Sequence, residues 1–98
     1  MKKIFFNQRS FIAWVDYYSK TNELFIVMRK TGKQFIIRKF PESAFRRLEN
    51  ANNKGSHVSI YILNNDKYSV EFVQYIPLAD VENETKLNSK PFLNFLAR

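Results

Sequence analysis

The sequence predicts an α+β domain: a five-stranded, mainly antiparallel sheet with one principal helix, in the order β-β-β-α-β-β. Three observations carry this expectation. Short apolar runs with period-two alternation recur in pairs around polar turns. One segment, opened by Pro41, instead carries its apolar residues at helical spacing. The composition is that of a chain that can bury a core: 45% hydrophobic and 16% aromatic, with ten phenylalanines and five tyrosines among 98 residues.

The elements follow in order. Phe11 to Asp16 alternates and is rich in strand-favouring residues, and Ser19 to Asn22 is a polar turn. Glu23 to Arg29 reads as a strand with Leu24, Ile26 and Met28 on one face and Phe25 and Val27 on the other. Lys30-Thr31-Gly32-Lys33 is a hairpin loop whose glycine can take a positive φ, and Gln34 to Lys39 is the returning strand. The helix is expected over Pro41 to Asn52. Proline suits the first helical position, Glu42 complements the helix dipole, and Ala44, Phe45, Leu48 and Ala51 form one stripe. Asn52-Asn53-Lys54-Gly55 ends it.

The second half reads as another hairpin, His57 to Leu63 and Tyr68 to Ile76 around Asn64-Asn65-Asp66-Lys67, closed by Pro77. Leu78 to Leu87 is acidic and polar and is expected to be a loop. Ser89-Lys90-Pro91-Phe92 would cap a short final helix running to Arg98. The division that results is a domain over 1–78 and a C-terminal tail over 79–98, ending in that helix and packed on the domain. Leu24, Ile26, Phe35, Ile37, Phe45 and Leu48 are the expected core. Several strands carry apolar residues on both faces, and one helix covers only one. The second face calls for the tail, for curvature, or for a partner such as a second copy of the chain.

From Ile12 to Ile62 the sequence resembles the KTSC domain family, named after the C-terminal domain of certain lysyl-tRNA synthetases. The matching positions are Leu24-Phe25-Ile26-Val27-Met28, Gly32, Phe35-Ile36-Ile37, Phe40-Pro41 and Ala51-Asn52-Asn53-Lys54-Gly55. The chain departs from that family at Phe35 and Ile37, where an aromatic pair with hydroxyls is usual, and at Asn53, where serine is usual. A second hairpin and a tail from Lys67 onward replace the short ending typical of that family. The resemblance implies the fold of that family.

Function is bounded by chemistry. There is no cysteine, so disulfides, thiol nucleophiles and thiolate metal sites are excluded. The single histidine, His57, reads as an ordinary residue at a strand start, and no Gly-rich phosphate loop or metalloprotease motif is present. The chain is therefore expected to be non-catalytic, with no cofactor and no metal. No apolar run reaches membrane-spanning length and none forms a signal peptide, so the cytoplasm is the expected location.

Charge points to the partner. Residues 1–54 hold twelve Lys/Arg against four Asp/Glu, and residues 55–98 hold four against five, which places the whole excess of the net +7 in the first half. Clustered cations bind polyanions by releasing counterions, and interleaved rings such as Trp14, Tyr17, Tyr18 and Phe25 offer surfaces on which bases stack. The expectation is a module that binds nucleic acid, RNA or DNA, through Arg29, Lys30, Lys33, Arg46, Arg47 and Lys54. The alternative is an inhibitor encoded by a phage or mobile element, for example an anti-CRISPR. It would hold a host nucleic-acid-handling protein through Trp14, Phe25 and Val27. The abundance of Lys, Asn, Ile and Phe, as in AT-rich genes, favours that origin.

Overall fold

A computed structural model describes residues 1–89. Five antiparallel strands lie side by side in chain order: β1 (Lys2–Phe5), β2 (Ile12–Tyr18), β3 (Glu23–Met28), β4 (Lys33–Ile37) and β5 (Val70–Tyr75). Three helical segments separate β4 from β5: α1 (Glu42–Glu49), α2 (Lys54–His57) and a π-helical turn over Val58–Leu63. A last helix, α3 (Leu78–Ser89), follows β5. The class is the expected α+β, but the order is not. The expected final helix beyond Pro91 lies outside the described residues.

β1 is a strand that the sequence did not announce. Its four residues are too short for a periodic signal, and β2 accepts it in register from Lys2 opposite Tyr17 to Phe5 opposite Trp14. The β3–β4 turn depends on Gly32. Its φ of +73° lies in the left-handed region, and an added Cβ would run into the Ile76 carbonyl. That carbonyl-side approach ties the end of β5 to the turn, because Ile76 N–H donates to the Gly32 oxygen at 2.7 Å.

The main core lies between one face of the sheet and the helices. Val15, Tyr17, Leu24, Ile26 and Ile37 meet Phe45, Leu48, Val58 and Ile62 there. Five of the six expected core residues are buried, whereas Phe35 is only half-buried. Tyr17 is central rather than surface-facing: its ring stacks on Phe45 with centroids 4.5 Å apart, and its hydroxyl donates to the Phe40 carbonyl oxygen at 2.8 Å. That bond fixes the corner at which β4 turns into α1.

The expected strand His57–Leu63 is helical, so the second hairpin does not form. Asn53 caps α2 by accepting from Ser56 N–H at 3.0 Å. Asn64 N–H then reaches the Ser59 carbonyl, five residues back, at 3.1 Å. Val58, Ile60 and Ile62 alternate, but Val58 and Ile62 are also four apart, and a helix buries that pair while exposing Ile60 and Tyr61. The principal helix is also shorter than expected, since Asn50 already caps it.

The second face of the sheet is covered in part by α3, where a loop was expected. Among the described side chains, Val81 is the one from α3 in the small cluster of Ala13, Trp14 and Val27. A single buried residue leaves no stripe in the sequence to announce a helix.

Phe45→Ala removes the ring that Tyr17 and Leu48 pack against. The expected loss is about 3–5 kcal/mol, read by denaturant melting. A change below about 1 kcal/mol would contradict the packing described here.

Candidate nucleic-acid interface

The basic residues expected to form one surface do not act together. Arg29 turns inward. Its guanidinium donates to the carbonyl oxygens of Phe6, Asn7, Ser10 and Ile12 at 3.0–3.2 Å, and burial lowers its pKa. It clamps the β1–β2 loop, and its donors are taken up there. Sequence alone could not separate this role from contact with a polyanion, because both need the same cation beside a turn.

Arg46 is exposed but pairs with Glu42 one helical turn away, at 3.6 Å. Lys54 donates to the Ala51 carbonyl at 3.0 Å and lies near the β1–β2 loop, away from the hairpin. Lys30, Lys33 and Arg47 make no ion pair among the described residues. Arg47 stands by His57, whose pKa is lowered first by burial and then by that charge, leaving the imidazole neutral at pH 7.

The apolar alternative fares similarly. Trp14 and Val27 are buried beneath Val81, so neither is available as an interface anchor while α3 is in place. Phe25 is half-buried and meets Tyr18 edge-on at 5.6 Å.

A different aromatic surface is open. Phe35, Phe72 and Tyr75 form a ladder on one face of β4 and β5, with centroids 6.0 Å and 5.1 Å apart. Phe72 is 50% exposed and Tyr75 62%. Residues three apart on a regular strand point to opposite faces. Here Phe72 pairs with Phe35 and Gln74 with Gln34, so Val73 is an extra residue in the ladder of hydrogen bonds. This bulge returns Tyr75 to the face of Phe72, and Lys33 stands directly across from Tyr75. The signal was in the sequence as three rings, but their common face depends on the bulge, which no local pattern marks.

On the opposite face Asp16 is buried. It accepts from Trp14 Nε1 at 3.2 Å, while its other oxygen has no hydrogen-bond partner and Lys3 lies 3.7 Å away. Lys3 also sits over the Trp14 ring at 4.8 Å. Burial raises the Asp16 pKa, against the pull of Lys3.

A cleft of about 530 Å³ lies between the β1–β2 loop and residues 52–56, and Arg9 and Lys54 both line it. No family model matches the chain, and no curated protein matches it either.

Two outcomes are expected. Arg29→Met keeps the stem but leaves four carbonyls without their donor. It should destabilise the fold by about 2–3 kcal/mol and open the 6–11 loop to protease, because bonds to charged groups are the stronger kind. Unchanged melting would refute the clamp. Asp16 ionises less readily folded than unfolded, so its charge costs stability above the folded pKa and the cost vanishes as pH falls below the unfolded value. The stability of Asp16→Asn relative to wild type should therefore rise as pH climbs above the ordinary carboxylate range, then level off. A relative stability that falls over that window would contradict it.

Proposed function

We propose that this chain is a non-catalytic module that binds single-stranded nucleic acid across the aromatic face of β4 and β5. The observation that supports it is the ladder of Phe35, Phe72 and Tyr75 beside the unpaired Lys33. Rings at successive positions of a sheet let bases stack without regard to their identity, at about 1–3 kcal/mol each, and lysines at the border draw in the backbone. Lys30, in the adjoining turn, adds to that border. No groove-reading helix is needed, and among the described residues no helix presents a run of free arginines.

The KTSC-like stretch, residues 12–62, then serves as a scaffold, and β5 is the addition that carries two of the three rings. The absence of catalysis rests on side-chain chemistry. The one histidine meets Tyr61 at a tilt, ring centroids 5.0 Å apart, and feels the charge of Arg47, an arrangement that supplies no base beside a nucleophile. The inhibitor reading uses the same exposed rings for a protein partner, and salt distinguishes the two. Loss of affinity with salt follows the number of phosphates neutralised, whereas an apolar interface responds weakly.

The test is anisotropy with labelled oligodeoxythymidine and oligouridine at two salt concentrations. Phe72→Ala with Tyr75→Ala should weaken binding by roughly tenfold or more while melting stays near wild type, because both rings are largely exposed. Lys33→Glu should make the salt dependence shallower by about 0.7 in log–log slope. Failure of wild type to bind any single strand at low salt would overturn the proposal and move these rings to the protein-partner reading.

A further inference from the structure

We infer that the cleft between the β1–β2 loop and residues 52–56 binds a phosphate monoester, the terminal phosphate of a nucleotide or of a nucleic-acid strand. Its volume of about 530 Å³ lies in the range of sites for small ligands. Its chemistry is one-sided. Arg9 and Lys54 line it, and no carboxylate does. Arg9 makes no ion pair among the described residues.

Several acceptors of the walls are already in use. Arg29 takes the carbonyls of Phe6, Asn7 and Ser10. The Asn7 side-chain oxygen accepts from Arg9 N–H, the Asn53 side-chain oxygen from Ser56 N–H, and the Ala51 carbonyl from Lys54 Nζ. Toward a ligand the cleft offers the Arg9 guanidinium, two Lys54 protons, the amide groups of Asn7, Asn52 and Asn53, and the Ser56 hydroxyl, which can donate. A cleft with two cations, several amide donors and no carboxylate suits an anion with several oxygens. Arginine offers such an anion two parallel bonds, and lysine adds a point charge.

The walls are held in place as well as charged. They meet at Gly55, where an added Cβ would lie 3.1 Å from Ser10 Oγ. Phe11, 43% exposed, stands at the rim as a ring on which a base can stack. This site is separate from the β4–β5 ladder, since none of Phe35, Phe72 and Tyr75 lines it.

Amide chemical-shift mapping of the full chain tests the inference, with adenosine monophosphate, adenosine, and an oligodeoxythymidine carrying either a 5′-phosphate or a 5′-hydroxyl. The phosphorylated probes should shift amides of 7–11 and 52–56, and their unphosphorylated counterparts should leave those amides in place. A response to the mononucleotide alone assigns the site to free nucleotides, and a response to the strand alone assigns it to strand ends. Arg9→Gln with Lys54→Gln should reduce the affinity about tenfold or more for each donor lost. Arg9→Gln alone, at an exposed position, keeps the test valid if the double variant folds poorly. Shifts that are equal with and without the phosphate, or that fall elsewhere at millimolar probe, would overturn the inference. Phe72→Ala with Tyr75→Ala separates it from the proposed function: the mononucleotide should still shift the cleft in that variant, whether or not strands bind the ladder.

Discussion

Strand β2 is buried on both faces, and that constraint organises the molecule. Every residue from Ile12 to Tyr17 is out of solvent. A strand so placed cannot be finished by one layer of helix. On one side Val15 and Tyr17 lie under α1 and the π-helical turn. On the other, Trp14 lies under α3. A bulge makes this division possible. Ile12 pairs with Met28 and Trp14 with Val27, so Ala13 is the extra residue. It joins Trp14 on the α3 side and returns Ile12 to the main core. Without it the first turn of β2 would present its largest aliphatic chain to the wrong layer.

A second bulge, at Val73, solves a different problem with the same geometry. β5 is an edge strand, and its six residues are all exposed. Exposed edges invite unwanted pairing, and a bulge disrupts the regular ladder such pairing needs. The same extra residue puts Phe72 and Tyr75 side by side. One irregularity therefore protects the edge and builds the aromatic face. Arg38 holds the far end of the strand, bonding Glu71 at 2.7 Å while also lying near Glu23.

Much of the sheet was legible because period-two alternation survives in β3, β4 and, beyond its bulge, β2, and turn chemistry at Asn22 and Gly32 marks their ends. Asn22 does take a positive φ, as does Gly32. α1 was legible from Pro41 and its apolar stripe. The failures have particular causes. Val58-Ser59-Ile60-Tyr61-Ile62 satisfies both a strand and a helix period, and tertiary burial of Val58 and Ile62 decides between them. Among the described side chains α3 buries only Val81, too little to show a period. The candidate site was the least legible part, because it depends on a register irregularity and not on residue type.

The charge of the chain shows why composition overstates a binding surface. Arg29, Arg38 and Arg46 are all committed within the fold, to four carbonyls, to two glutamates and to Glu42. Guanidinium groups suit such work, since a planar fork of donors satisfies several acceptors at once. Lys30 and Lys33, compact charges on flexible stems, are left to solvent. A net +7 therefore still raises the encounter rate with any polyanion, which depends on the summed field. It does not say where that polyanion settles. Settling needs groups that are both exposed and uncommitted, and in the β4–β5 region these are two lysines beside three rings. A surface of that make-up holds a ligand more by stacking than by charge. Its affinity should consequently fall with salt by roughly the one or two phosphates those lysines neutralise, less steeply than the basic composition implies but more than an apolar interface would, with most of that fall in the on-rate.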